Sequence, residues 1–390
     1  MGTQKSPRTA TVAGVLLAAS LLGSGAATAA EPAGPIKIGS FLSVTGGASF
    51  LGDPEKKTLE LEVAEINKRG GVHGRKLELI TYDDTGAADK AASFVKRLIE
   101  SDGVDAIVGG STTATTMAAI PLVEKSRVPF ISLAGAVGIV EPVKKWVFKT
   151  PHTDRLAAEK VFEDMRKRGI KRIGLISEDA GFGKSGREQS LLVAKNFGIE
   201  IVADEVYSPK DPDTTAQLTK ISHTPGVEAL FNFGFGQGPA VVTRNYRQLG
   251  LTMPFYQSHG VASKDFIKLV GAAGEGIRLP ATGLAVVDQL PAGDPQKPVV
   301  TMYMEVYRDT YKADASTFAG YAYDGIHILE EALFHATGTD KERVREEIER
   351  TRGFVGTTGL YTMSPTDHNG LAPNSFHMVE IRKGDWALLD

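Results

Sequence analysis

Residues 106–136 read AIVGGSTTATTMAAIPLVEKSRVPFISLAGA, and this stretch decides the fold of the chain. Short apolar runs at 106–108 and 130–132 are separated by an apolar helical pattern, which predicts strand, loop, helix, strand and loop. Parallel strands point the same way, so the loops at 110–113 and 133–136 are expected side by side at the carboxyl edge of the sheet. Ligands of open α/β sheets bind at that edge.

The first of these loops has the chemistry of an anion site. Ser111, Thr112 and Thr113 offer hydroxyl and backbone N–H groups at a helix N-terminus, which can hold a carboxylate without a cationic side chain. Ser and Thr are also ordinary helix caps, so on these residues alone a purely structural role stays open.

Length, composition and charge restrict the class of protein. With 390 residues, 42% of them hydrophobic, the chain is longer than most single domains, and two domains are expected. The formal net charge of −3 gives no basic excess that would favour binding to nucleic acid or to an anionic membrane.

The N-terminus has the pattern of a secretory signal peptide at residues 1–30. Lys5 and Arg8 precede an apolar run at 12–22, which is too short to span a bilayer, and small residues follow at 27–30. The absence of cysteine excludes disulfides, thiolate metal sites and a lipidated cysteine anchor. We expect export to the periplasm, removal of the signal and no membrane insertion afterwards.

Strands alternate with helices along the remaining chain, which predicts an α/β protein with two doubly wound parallel-sheet lobes. The alternation restarts after residues 146–151, and later helices are expected to return to the first lobe. The predicted lobes are residues 31–150 with 281–352, and residues 151–280 with 353–390. Three crossings, near residues 149–153, 277–285 and 351–357, would then form a hinge.

Four segments together resemble the branched-chain amino acid (leucine/isoleucine/valine-binding) family of extracytoplasmic solute-binding proteins. Besides the central stretch, they are IKIGSFLSVTGGASFLGD, EINKRGGVHGRKLELITYDD and RNYRQLGLTMPFYQSHG. The resemblance covers essentially the whole mature chain. It implies a periplasmic binding protein of type I, in which two lobes close on one solute and present it to the permease subunits of an ABC importer.

The resemblance also implies site residues. In the family, the first central loop and the backbone of the second hold the ligand carboxylate, while the second lobe supplies aromatic side chains and an acid for the ligand ammonium group. The positions that match this pattern are Ser111, Thr112, Thr113, Ala134, Gly135 and Ala136 in the first lobe, and Phe182, Phe235 and His259 in the second.

Two further residues are expected at the cleft from their place in the chain. Phe50, in a small-residue loop, is expected to form part of the cleft wall. His152, at the first crossing, either reaches the cleft or bonds hinge backbone.

His259 departs from the family pattern because it stands where amino-acid binders keep an acid. A buried ammonium without a carboxylate partner costs several kcal/mol, whereas an imidazole can donate to a hydroxyl, carbonyl or second carboxylate. The chain therefore resembles the branch that binds carboxylates without an α-amino group, such as benzoate-like acids. The alternative is that Glu178 or Asp179 supplies the charge and that the ligand is an amino acid.

Catalysis is not expected. The Gly-Lys-Ser at 183–185 lacks the glycine that a phosphate loop needs at position 178, and neither a G-x-S-x-G nor an H-E-x-x-H motif occurs. We expect no cofactor, no metal and a monomer that binds a small carboxylate. A chemoreceptor or amide-sensing regulator of the same fold and a two-domain α/β enzyme remain the other functional classes.

Overall fold

The computed structural model describes residues 34–389, together with residues 1, 2 and 4. The predicted signal peptide therefore lies outside the described residues, apart from those three positions. Within the described part of the chain, no helix has the length and apolar character needed to cross a membrane.

The first sheet is fully parallel, with strand order β2-β1-β3-β4-β5. Helices connect its strands on both faces, and the order reverses between β1 and β3, where open α/β sheets leave a crevice. Its strands are β1 (Ile36–Leu42), β2 (Leu77–Asp83), β3 (Ala106–Gly109), β4 (Phe130–Ser132) and β5 (Val147–Lys149). Its helices are α1 (Ser49–Lys68), α2 (Ala88–Glu100) and α3 (Thr113–Ser126).

The sequence predicts that helix α1 starts at about Pro54, because proline is favoured in the first turn of a helix. In the structure the helix begins earlier, at Ser49. The extra turn closes because the N–H groups of Leu51 and Gly52 both donate to the carbonyl of Ala48. Phe50 is consequently a helical residue, not a loop residue.

The second sheet begins with five parallel strands and also reverses its order, between β6 and β8. These strands are β6 (Arg172–Glu178), β7 (Glu200–Tyr207), β8 (Ala229–Phe233), β9 (Phe255–Gln257) and β10 (Arg278–Ala281). The accompanying helices are α4 (Asp154–Lys167), α5 (Gly181–Val193), α6 (Thr215–His223), α7 (Gln237–Gln248) and α8 (Lys264–Val270). The prediction of doubly wound parallel sheets is thus confirmed for both lobes.

The last third of the chain contributes to both lobes. It forms α9 (Gln296–Tyr311), α10 (Thr317–Ala336), α11 (Lys341–Glu349), β11 (Arg352–Val355), β12 (Leu360–Thr362), β13 (His377–Arg382) and β14 (Asp385–Leu388). Helix α10 packs along α1 in the first lobe. Strands β13 and β14 extend the second sheet beyond β10 and are antiparallel to their neighbours. The alternation of strands and helices in the sequence does not predict this orientation.

We propose that the third crossing lies later than the expected residues 351–357. Strands β11 and β12 form a separate hairpin, and Tyr361, Met363 and Leu371 are buried in the same cluster as the first sheet. The apolar residues at 376 and 378 then join the core of the second lobe. In this proposal the first lobe extends to about residue 372 and not to 352, because burial of these side chains decides which lobe the segment joins.

Asp324 in α10 connects the segment at 357–361 to the first crossing. Its Oδ1 accepts from the N–H of Thr357 at 2.6 Å, and its Oδ2 accepts from the N–H of Thr358 at 2.9 Å. The hydroxyl of Tyr361 lies 2.9 Å from Asp324 Oδ2 and 2.7 Å from the carbonyl of Thr150 in the first crossing. One fully buried carboxyl group therefore links α10 to the segment at 357–361 and, through Tyr361, to the first crossing.

Replacing Asp324 with alanine should lower the free energy of unfolding by about 3 to 5 kcal/mol, because buried donors lose their shared acceptor. Urea denaturation of the Asp324→Ala variant measures this loss. Asp309→Ala, an exposed position on α9, is the control and should change stability by less than about 0.5 kcal/mol. Equal stability of the two variants would contradict the linking role of Asp324.

Candidate functional site

The carboxyl ends of both sheets meet at one cavity between the lobes, with an empty volume of about 390 Å³. This volume includes space that is open to solvent, whereas the part in which the centre of a water-sized molecule fits is about 40 Å³. The cavity is lined by Leu51, Ser111, Thr112, Thr113, Leu133, Gly135, Pro151, Phe182, Phe235, His259, Gly260, Phe318 and Tyr321.

The loop after β3 carries three hydroxyl groups, two of which make hydrogen bonds within the first lobe. Thr112 is the N-cap of α3, and its Oγ1 accepts from the N–H of Thr115 at 3.2 Å. Ser111 Oγ accepts from the N–H of Ser43 at 3.0 Å and donates to the carboxyl group of Glu55. Thr113 Oγ1 is buried and has no hydrogen-bond partner among the described residues. The capping role considered from the sequence thus holds for Thr112, whereas Thr113, which also lines the cavity, has a buried hydroxyl without a partner among the described residues.

The electrostatics of this loop favour an anion. In the first turn of the 14-residue helix α3, the N–H groups of Thr113 and Ala114 have no intrahelical acceptor, and the helix dipole places partial positive charge there. Burial raises the pKa of Glu55 well above its usual value, so this carboxyl group is held in its neutral form. A ligand carboxylate at this helix end therefore does not face a neighbouring negative charge from Glu55.

The loop after β4 brings the two lobes together at Gly135. A Cβ atom at this position would lie 2.9 Å from Phe182 Cε2 and 3.1 Å from His259 Nε2, both in the second lobe. The carbonyl of Gly135 accepts from the buried Lys149 Nζ at 2.6 Å, and burial lowers the pKa of this lysine to about 7. A larger residue at 135 would push the lobes apart.

The second lobe contributes an aromatic wall. Phe182 lies in the first turn of α5, and Phe235 and His259 follow β8 and β9. The ring of Phe182 packs edge to face on Phe235, with centroids 5.9 Å apart, and on His259, with centroids 5.3 Å apart. Such contacts fix the orientation of each ring and present apolar surface to the cavity.

His259 is a neutral imidazole. Burial, assisted by the positive charge of Lys149, lowers its pKa to about 3. Its Nδ1 atom has no hydrogen-bond partner among the described residues. The side chain therefore offers the cavity one donor or acceptor and carries no positive charge near neutral pH.

The two alternative acids stand outside the cavity lining. Glu178 Oε2 accepts from the N–H of Phe235 at 3.2 Å, which places its carboxyl group behind the Phe235 loop, and burial raises its pKa to about 8. Asp179 is exposed. Among the residues that line the described cavity there is neither Asp nor Glu.

Four of the expected residues do not line this cavity. The side chains of Ala134 and Ala136 are buried in the core of the first lobe. His152 stacks on Phe376 with ring centroids 3.5 Å apart, and its Nε2 lies 2.8 Å from Ser375 Oγ, so it belongs to the crossing. Phe50 lies outside the cavity and packs against two of its lining residues. Tertiary packing of these side chains, which loop position alone does not reveal, accounts for the difference.

Several lining residues were not anticipated. They are Leu51, Leu133, Pro151, Gly260, Phe318 and Tyr321. Phe318 and Tyr321 lie three residues apart on α10 and therefore share a face, a signal that becomes useful once α10 is known to cover the cleft. The hydroxyl of Tyr321 is buried without a hydrogen-bond partner among the described residues.

Metal binding finds no support here. Among the described residues, no group of three His, Asp or Glu side chains is placed to hold a metal ion. The chemistry available in the cavity is hydrogen bonding and apolar contact.

Comparison with known proteins places this geometry in a family. A profile described as periplasmic binding protein matches residues 35–385. The chain is 25% identical over 362 residues to the leucine-, isoleucine-, valine-, threonine- and alanine-binding protein of Pseudomonas aeruginosa, covering 92% of this chain and 91% of that protein. The match to this relative extends over both lobes.

Solved structures agree with this fold. An extracellular ligand-binding receptor from Rhodopseudomonas palustris HaA2 superposes with a TM-score of 0.85 at 27% identity, covering 92% of this chain and 100% of that chain. A solute-binding protein of an ABC transporter from R. palustris, solved in complex with benzoate, gives a TM-score of 0.78 at 21% identity, covering 91% and 96%. At that identity the second similarity is one of fold alone.

The resemblance seen in the sequence is thereby confirmed, and the matched relatives are named as binding proteins and receptors, not as enzymes. Because the family profile covers residues 35–385, which include both sheets and their connections, the chain belongs to the periplasmic binding protein family, as a solute-binding protein of the ABC transporter type.

Proposed function

We propose that this protein captures a small carboxylate without an α-amino group, with benzoate-like aromatic acids as the favoured class. The observation that carries the proposal is the content of the cavity, which combines an anion-binding helix end with aromatic side chains and contains no Asp or Glu. In this proposal the protein is exported by its signal peptide, acts as a periplasmic monomer and delivers its ligand to the permease subunits of an importer.

The ligand carboxylate is assigned to the N-terminus of α3. The free hydroxyl of Thr113 and the unpaired N–H groups of the first helical turn supply hydrogen-bond donors. Hydrogen bonds to a charged acceptor contribute about 1.5 to 3 kcal/mol each, more than those between neutral groups. Gly135, whose carbonyl accepts from Lys149, lines the cavity from the loop after β4, the strand next to β3.

The rest of the cavity suits an aromatic ring. Phe182, Phe235 and Phe318 supply apolar surface, and the rings of the second lobe are already fixed by edge-to-face packing. The unpaired Tyr321 hydroxyl and His259 Nδ1 are available for a ring substituent or for the second carboxylate oxygen. Because the ligand contacts both lobes, it binds the closed form better than the open form, and this difference drives closure.

An α-amino acid is disfavoured because its ammonium group lacks a partner. A buried, unpaired ammonium costs several kcal/mol, and the nearest candidate acid, Glu178, is itself held neutral near pH 7. The name of the P. aeruginosa relative describes amino-acid binding, and the R. palustris neighbour was solved with benzoate. Branched-chain amino acid binding by the same fold is thus the alternative, and the two ligand classes differ in the charge that the cavity must accept.

The ligand class is tested by calorimetry with 4-hydroxybenzoate and leucine. The unmodified protein should bind 4-hydroxybenzoate and bind leucine weakly or not at all. His259→Glu places a carboxylate in the wall, so affinity for 4-hydroxybenzoate should fall at least about tenfold, equivalent to about 1.4 kcal/mol, through repulsion and desolvation. His335→Glu, at an exposed position on α10, is the control and should leave binding unchanged. Tight leucine binding by the unmodified protein would establish the alternative.

Thr113→Val removes the unpaired hydroxyl while keeping the shape of the side chain. Loss of about 1.5 to 3 kcal/mol should raise the Kd for 4-hydroxybenzoate by a factor of roughly 10 to 150. Thr310→Val, on the exposed face of α9, makes the same chemical change away from the cavity and should have no effect on the Kd. An unchanged Kd in Thr113→Val would move the carboxylate to another part of the cavity.

The neutral state of Glu178 predicts a pH dependence of stability. Its pKa is about 8 in the folded protein against an ordinary value of 4.5, so between these pH values the folded state holds a proton that the unfolded state has lost. Stability should therefore fall as pH rises through this window, by roughly 3 to 5 kcal/mol from this group. In Glu178→Gln the fall, measured by urea denaturation between about pH 5 and 8, should be smaller, whereas Glu188→Gln at an exposed site should match the unmodified protein. Equal slopes in all three proteins would show that Glu178 is ionised.

A further inference from the structure

A second chamber adjoins the ligand cavity. This outer chamber has an empty volume of about 610 Å³. It is lined by Phe50, Gly236, Gln237, Gly260, Val261, Ser263, Asp265, Phe266 and Leu269. Gly260 lines both spaces, so the two lie on either side of one wall.

Phe50 forms the part of that wall contributed by the first lobe. Its ring lies 6.2 Å from the ring of Phe235 and 5.5 Å from the ring of Phe318, both of which line the ligand cavity. Every other residue around the outer chamber follows β8 or β9 in the second lobe. The Phe50 ring therefore lines the outer chamber and packs behind Phe235 and Phe318, the two rings that border the ligand cavity on this side.

Two glycines of the second lobe border the outer chamber. Gly236 has φ +73°, a conformation that favours glycine, and a Cβ atom there would make an ordinary contact of 3.5 Å with Phe50 Cε1. At Gly260 a Cβ atom would lie 2.6 Å from the carbonyl oxygen of Gly234 and 3.1 Å from Phe235 Cβ. The Gly260 position therefore cannot carry a side chain, and the rings of Phe235, Phe318 and Phe50 make up the replaceable part of the wall.

The outer chamber has a different chemistry from the carboxylate end of the site. Val261, Phe266 and Leu269 provide apolar surface, with Gln237 and Asp265 as polar groups. None of the residues 111–113 or 133–136, which form the anion loops, lines it. Such a space accepts the hydrocarbon extension of a ligand, and the carboxylate remains at α3.

We propose that Phe50 is the residue that sets the permitted length of the ligand. This proposal rests on the proposed binding of aromatic carboxylates. With the phenyl ring in place, the cavity holds a single ring with small substituents. Without it, the rings of Phe235 and Phe318 lose the side chain that packs behind them and can turn into the space it leaves, which opens the cavity toward the outer chamber. A benzoate that carries an apolar chain opposite its carboxylate then gains a binding surface.

The test compares the Kd values of benzoate and 4-butylbenzoate by calorimetry. The unmodified protein should prefer benzoate at least about tenfold, and Phe50→Ala should change the ratio in favour of 4-butylbenzoate by at least about tenfold. Phe50→Leu, which retains an apolar side chain at the start of α1, should give an intermediate ratio. Phe94→Ala removes a half-buried phenyl ring elsewhere in the first lobe and should keep the ratio of the unmodified protein.

A second substitution assigns any gain to the outer chamber. Leu269→Trp introduces a larger side chain into the outer chamber, so Phe50→Ala combined with Leu269→Trp should lose the gained affinity for 4-butylbenzoate and retain benzoate binding. If benzoate binds and Phe50→Ala leaves the ratio unchanged, Phe50 is not the partition and the proposed function stands. If the unmodified protein binds both acids equally, the partition is likewise refuted. If it binds neither acid, the proposed function fails, and the proposed role of Phe50 in setting the ligand length fails as well.

Discussion

The buried carboxyl group of Asp324 is the contact on which the arrangement of the cleft depends. It accepts hydrogen bonds from the segment around Thr357 and lies beside the Tyr361 hydroxyl, which reaches the carbonyl of Thr150. The Thr150 hydroxyl in turn donates to the carbonyl of Tyr321, a cavity residue on the same helix as Asp324. The segment at 357–361, the first crossing and the cavity wall therefore share one hydrogen-bond network.

The interior around the cavity is arranged to accept one added negative charge. Glu55 and Glu178 are held neutral by burial, His259 is a neutral imidazole, and positive potential comes from the end of α3 and from Lys149 below the second loop. Fixed dipoles, unlike a salt bridge, do not require a second buried ion to be desolvated when the ligand enters. An anion can thus be bound in a closed cleft without a cationic side chain in the lining.

The second lobe presents its cavity side chains after the ends of three strands. Phe182, Phe235 and His259 follow β6, β8 and β9, with Phe182 in the first turn of α5 and His259 in a short 3-10 turn. Larger side chains at Gly135 and Gly260 would collide across the lobes or with the Phe235 loop. The sheets therefore fix the positions of these side chains, and the side chains form the cavity wall.

The sequence by itself determined the α/β class, the two parallel sheets and the strand ends that the cavity residues follow, whereas the choice of Phe182, Phe235 and His259 as ligand contacts was implied by the family resemblance. These features are local, since apolar periodicity and small-residue loops specify a strand end without reference to distant parts of the chain. Only the tertiary structure decided the lobe of Tyr361, the free state of the Thr113 hydroxyl, the inward position of Tyr321 and the outward position of Phe50. Those depend on contacts between segments far apart in the chain, such as Ser111 with Glu55 and Phe50 with Phe235, and no local pattern encodes which partner a side chain meets.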